Sequence, residues 1–243
     1  MTIAHRTITV LFTIYLYFIG SRIAARRLNQ IANTCGKDVE KLTDLAFNFG
    51  YRQKFPKSWY VSLMPLQIKS EIITLSRIIQ QSSPKVICEV GTASGGTLFL
   101  FSRITNSEKI ISLDLPTNAL GGGYPWKIPF FRSLGKKHLI QLIRSDSHSE
   151  STLAKVQSNL KGHRIDLLFI DGDHTYQGVK QDFQMYSPLV RKGGIVVLHD
   201  IVMHDPPACE VDRFWKEIKQ SYPYLEIIED QNQKYAGIGL LYF

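Results

Sequence analysis

Residues 166–183, DLLFIDGDHTYQGVKQDF, set Asp171, Asp173, His174 and Asp182 directly behind an apolar run. Carboxylates and an imidazole so close together can hold a cation, move a proton, bind a nucleotide or simply face water. A second block, LHD at 198–200, ends another apolar run with His199 and Asp200. Neighbouring parallel strands of an open α/β sheet end along one edge, where ligands bind, so Asp171, His199 and Asp200 are expected side by side. Asp173 and Tyr176 also suit the start of the next helix, where a carboxylate meets free backbone N–H groups. Asp182 reads as a solvated helix face; His204 with Asp205 reads first as a loop turn and second as a substrate-side pair.

The elements that must position these residues follow from hydrophobic spacing. Short apolar runs at 85–91, 109–115, 138–146, 165–172 and 193–200 alternate with helical stretches at 95–106, 150–160 and 175–190. That alternation predicts right-handed βαβ units and a parallel sheet covered on both faces. Residues 209–222 read as a helix with Val211, Phe214, Trp215 and Ile218 inward. Strands at 224–230 and 237–243 follow, joined by a turn too short for a parallel crossover, so the chain should end in an antiparallel hairpin. Upstream, Ile68, Ile72, Leu75, Ile78 and Ile79 mark an amphipathic helix over 64–81, and 37–49 also has helical spacing.

The first strand ends in CEVGTASGG, 88–96, where Gly91, Gly95 and Gly96 permit a tight turn and close backbone approach to a ligand. Asp114 ends the second strand, where a carboxylate can take the hydroxyls of a ribose, and Asp146 ends the third, near an adenine position. Each alone suits a helix cap; together they read as a nucleoside cradle. The dinucleotide fingerprint G-x-G-x-x-G is absent, which disfavours a nicotinamide oxidoreductase.

CEVGTASGG, SLDLP and the long block from IDGDH to LHD resemble the class I S-adenosylmethionine-dependent methyltransferases. The similarity is to the metal-dependent branch that includes catechol-type, cephalosporin-hydroxylase-like and macrolide-sugar O-methyltransferases, and it covers roughly residues 64–243. It implies a Rossmann-like α/β fold: a seven-stranded, mostly parallel sheet with helices on both faces and an antiparallel last strand. It implies that Glu89, Gly91, Thr92, Gly95, Asp114, Asp146 and Asp171 border S-adenosylmethionine, with Glu89 holding the loop or the methionine end indirectly. By position, Asp171 and Asp200 match ligands of a divalent metal, Mg²⁺ or Mn²⁺. His199 departs from the family's oxygen ligand, and imidazole suits Mn²⁺, Fe²⁺ or Zn²⁺ better than Mg²⁺. Either it ligates a softer metal or it hydrogen-bonds nearby. His174, three residues after Asp171, matches a basic group beside the acceptor hydroxyl and is the expected general base, with Asp171 as its catalytic partner.

The acceptor is expected to be a small hydroxylated molecule: a sugar, a polyketide or an aromatic. The long connection 116–137, with Gly121, Gly122, Gly123, Tyr124, Trp126, Phe130 and Phe131, reads equally as an acceptor lid, a packing element or a homodimer contact.

At 243 residues the chain suits one main domain. Its net charge is +8, yet residues 1–80 hold 11 Lys and Arg against 4 Asp and Glu, and the remainder is nearly balanced at 18 against 17. A core with so little excess positive charge disfavours nucleic acid as a partner, and with it an RNA or DNA methyltransferase. A noncatalytic, membrane-tethered cofactor-binding scaffold is the other alternative. Three widely spaced cysteines form no disulfide framework, which points to a reducing, cytoplasmic compartment. Residues 7–20 are apolar with basic flanks through Arg27. They read as a membrane-associated segment touching anionic lipid through residues 7–27, or as a docked helix; cleaved export ranks below both. The expected division is a hydrophobic helix over 1–28, a helical extension over 29–63 and the methyltransferase domain over 64–243.

Overall fold

The computed structural model describes residues 3–53, 59–116, 127–135, 139–205 and 209–243, with side chains from residue 18 onward apart from 53, 59 and 60. Helix α1 (Ile3–Cys35) runs without a break through residue 28, and α2 (Val39–Asn48) follows. Next comes a small antiparallel hairpin, β1 (Gly50–Gln53) with β2 (Trp59–Ser62), in a stretch whose pattern reads as a helical extension. Among the described residues, no helix is long and apolar enough to cross a membrane.

The main unit then alternates: α3 (Lys69–Ser82), β3 (Val86–Val90), α4 (Gly96–Ile104), β4 (Lys109–Asp114), α5 (Ile128–Arg132), β5 (Ile140–Arg144), α6 (Glu150–Leu160), β6 (Ile165–Ile170), α7 (Tyr176–Tyr186), β7 (Val190–His199), α8 (Val211–Ile218), β8 (Tyr224–Ile227) and β9 (Ile238–Tyr242). The seven-stranded sheet has the order β5-β4-β3-β6-β7-β9-β8. Pairs from β5 through β7 are parallel, while β9 is antiparallel to both of its neighbours. This matches the sheet expected from the sequence, down to the terminal hairpin. The order reverses between β3 and β6, so the switch point lies where the glycine turn meets the acidic loop.

Helix α4 shows why the N-terminal segment belongs to the core. Leu98, Phe99, Leu100 and Phe101 are all buried, so the helix is apolar all round rather than along one stripe. One side lies on the sheet; α2 and α3 pack over the others. Leu28, Ala32, Val39 and Leu42 join the same core, and α1 packs against α5. Phe130 and Phe131 also sit in that core, beside Phe49, so these aromatics of the long connection cover no acceptor. Residues 121–124 and 126 of the expected lid lie outside the described residues. On the opposite face, Val179, Phe183, Phe214 and Trp215 from α7 and α8 close the second core.

Candidate active site

The first glycine turn is shaped by packing as much as by any ligand. Gly91 has φ +95°, and a β-carbon there would lie 1.9 Å from the Asp171 carbonyl oxygen. Only glycine lets the end of β3 touch the end of β6. Gly95, at φ +86°, would place a β-carbon 2.5 Å from the Phe131 ring, and Gly96 would meet the Leu63 carbonyl. The turn is therefore locked between the acidic loop, α5 and the segment before α3.

Glu89 sits fully buried beneath this turn rather than lining the cavity. Thr97 Oγ1 donates to its Oε1 at 2.5 Å and Ser112 Oγ to its Oε2 at 2.8 Å. With the Ser112 proton committed, Thr92 Oγ1 must donate, to Ser112 at 2.5 Å or to the Leu113 carbonyl, and it accepts from Arg144. Burial pushes the Glu89 carboxyl up to about 7. The chain Arg144–Thr92–Ser112–Glu89 thus stiffens the loop from below. Glu89 and Thr92 therefore stand under the turn and not on the cavity wall.

Above the turn lies a cavity of about 450 Å³ lined by Gly91, Asp114, Asp146, His148, Asp171 and His174, among others. Asp114 takes backbone N–H groups of Ala93 and Leu115 at 3.0 and 2.8 Å, which aims its carboxylate at the strand-end crevice. Burial raises its pKa against the pull of Arg144. Asp146 stands at the rim and accepts the His148 N–H at 2.9 Å. Gly95 is absent from this wall; it caps α4.

At the other end of the cavity, two carboxylates and two imidazoles converge. His199 Nδ1 lies 3.1 Å from Asp171 Oδ1 and 3.3 Å from Asp200 Oδ2. His174 spans the same pair, 3.4 Å from each. His199 has 4% of its side chain exposed and His174 40%, so one ring lies under the carboxylates and the other over them at the mouth. Asp200 adopts φ +63°, a left-handed turn that costs about 1 kcal/mol, which short polar side chains tolerate best. Burial would raise the Asp171 carboxyl, but the charges and hydrogen bonds of His199 and His174 hold it well below the usual range. Burial would likewise depress His199, yet Asp171 and Asp200 raise it. The hydrogen bond to Asp171 raises His174 as well.

Three residues that the motifs do not flag complete this centre. Gln67 Nε2 donates to Asp171 Oδ2 at 2.7 Å from the segment before α3. His204 Nε2 lies 3.1 Å from Asp200 Oδ1, so it belongs to the cluster and is not merely part of a turn. Cys209 is buried beside His174 and Asp200. His204, as a second histidine just past LHD, carries a signal in the sequence; Gln67 carries none.

The donor set fits a divalent cation. Ligand atoms of Asp171, His199 and Asp200 lie within 4.8 Å of one another, as do those of His174, Asp200 and Cys209. Gln67 Oε1 and His199 Nε2, both buried beside the cluster, have no hydrogen-bond partner.

Behind the loop the expectations divide. Asp173 Oδ1 accepts the Thr175 N–H at 2.8 Å, but the N-cap of α7 is Thr175, which accepts from Gly178. Asp182 does not face water: it is fully buried on the inner side of α7. His148 Nε2 stands 3.3 Å from its Oδ1, and neither carboxylate oxygen has a hydrogen bond. The α7 face read as solvated lies against the loop 145–148, so the periodicity was overridden by packing.

Comparison with known proteins gives the family and the fold. A protein of Acanthamoeba polyphaga mimivirus, "Uncharacterized protein R132", is 34% identical over 112 residues, 46% of this chain and 49% of that protein. The chain spans about half or less of the length of the curated relatives it matches. An O-methyltransferase from Bacillus cereus solved with SAH aligns at TM-score 0.53 and 17% identity, over 70% of this chain and 79% of that one. TomG from Streptomyces achromogenes, an O-methyltransferase of tomaymycin synthesis solved with SAM, aligns at TM-score 0.53 and 16% identity, over 70% and 78%. Both share the fold. The family model for Rhamnosyl O-methyltransferase/CmcI matches residues 53–236, so the methyltransferase resemblance of the motifs is borne out and the chain belongs to that family.

Proposed function

We propose that the chain transfers a methyl group from S-adenosylmethionine to a hydroxyl of a small acceptor, a sugar, polyketide or aromatic, at the Asp171–His174–His199–Asp200 cluster. The observation that carries this reading is the continuity of one cavity, from the Asp114 and Asp146 strand ends to His174 and Asp171. Asp114 would orient the ribose, and the Gly91 turn would admit the backbone of the loop to the cofactor.

Asp171 and Asp200, with His199, would hold a divalent cation, Mg²⁺ or Mn²⁺. When bound there it would lower the pKa of the acceptor hydroxyl and orient its oxygen. His174 takes the hydroxyl proton. Whichever ring nitrogen receives it faces a carboxylate at 3.4 Å, which stabilises the imidazolium. Its place at the mouth gives it access that the deep His199 ring lacks. Gln67 keeps one Asp171 oxygen occupied and so fixes the direction of the other.

Calorimetric titration with S-adenosylmethionine, with and without Mg²⁺ or Mn²⁺, tests the reading. Micromolar binding that tightens with the cation is the expected result. No binding at millimolar cofactor would overturn it, and binding indifferent to the cation would remove the metal from it.

A further inference from the structure

The two imidazoles differ in depth, and the difference bears on which ion this centre takes. Donors at right angles around an ion with bonds of about 2.1 Å lie about 3 Å apart. The separations from His199 Nδ1 to Asp171 Oδ1 and Asp200 Oδ2, 3.1 and 3.3 Å, match two such edges. His174, at 3.4 Å from the same carboxylates and open to the mouth, sits less tightly.

The strand end that carries His199 is held by β9. His199 closes β7, in register with Ile238 of the antiparallel β9, so the strand end cannot swing away from the carboxylates. The ring's polar neighbours on the Nδ1 side are the two carboxylates, while Nε2 is buried without a partner. A cation held between Asp171 and Asp200 on this side meets the His199 ring at both carboxylates. A thiol, Cys209, lies with ligand atoms of His174 and Asp200 inside a group 4.8 Å across. Hard Mg²⁺ is suited to carboxylates, carbonyls and waters, whereas imidazole and thiolate favour later first-row ions.

We infer that this centre selects an imidazole-accepting transition ion, of the Mn²⁺, Fe²⁺, Co²⁺ or Zn²⁺ class, over Mg²⁺, and that His199 Nδ1 is the ligand that decides it. The inference rests on the metal-assisted reading above and specifies the ion.

The test uses the full chain, stripped with a chelator and titrated with Mn²⁺ against competing Mg²⁺, with free Mn²⁺ followed by electron paramagnetic resonance. The wild type should prefer Mn²⁺ by about 100-fold, and His199→Glu should reduce that ratio by about tenfold or more. Spin-echo spectra of the bound Mn²⁺ should show nitrogen coupling, a readout that needs no variant and no turnover. If the wild type binds none of these ions, the metal-assisted reading falls and this inference with it. If Mn²⁺ binds without nitrogen coupling, and His199→Glu leaves the ratio unchanged, only the inference falls. Nitrogen coupling that survives His199→Glu but disappears in His174→Gln overturns the assignment to His199.

Discussion

Asp171 and Asp182 belong to one short segment, yet the fold shifts their carboxyls in opposite directions. Asp171, at the end of β6, meets His199 and His174 and stays ionised well below the ordinary carboxylate range. Asp182, on α7, is fully buried with His148 as its neighbouring imidazole, and burial pushes its carboxyl up to about 6. Burial disfavours both anions alike. What differs is how many imidazoles the neighbouring strands bring, two against one, and how well they are placed. A buried carboxylate stays ionised where histidines converge on it, and its pKa rises where burial outweighs them.

Removing Asp171 should produce the largest effect. Asp171→Asn is expected to lower acceptor methylation by about 10³-fold, to abolish cation binding and to remove the cation's tightening of S-adenosylmethionine binding, as calorimetry would show. His174→Ala should cost about 10²-fold in kcat while cation affinity persists. Undiminished turnover of an authentic acceptor would mean that the proton leaves by another route.

The other half of the comparison is a stability prediction. The Asp182 carboxyl moves from 3.8 to about 6 on folding, so folding favours its protonated form. Its stabilising contribution is complete below about pH 4 and is lost as pH rises through about 6. Asp182→Asn should therefore stabilise the chain by roughly 1–3 kcal/mol at pH 7, with the gain vanishing near pH 4. Thermal melts at the two pH values check this, and a lower melting temperature at pH 7 would show that His148 holds Asp182 as a useful ion pair. The smallest effect is expected at Gln67, where Gln67→Ala should weaken cation binding by about tenfold through misaligned Asp171.

Much of this is legible in the sequence. The five parallel strands appear as short apolar runs because a strand covered on both faces tolerates no polar alternation. The hairpin followed from a turn too short for a crossover. Gly91, Asp114, Asp171 and Asp200 stood out because strand ends at a switch point are where such residues act. The hairpin of β1 and β2 did not show, since four-residue strands outside the main sheet leave no periodic signal. Gln67 reaches Asp171 from a distant segment, a contact that spacing along the chain does not encode, whereas His204 meets Asp200 only four residues away.

The sequence by itself determined the alternating α/β plan, the strand ends that carry chemistry and the methyltransferase resemblance, because each rests on local pattern and on motifs. Only the tertiary structure decided that Glu89 supports the loop from beneath and that Phe130 and Phe131 serve the core. It also decided that Asp182 is buried and that His199 lies under the carboxylates while His174 lies over them. Those outcomes depend on which faces meet across the sheet, and that is set by long-range packing.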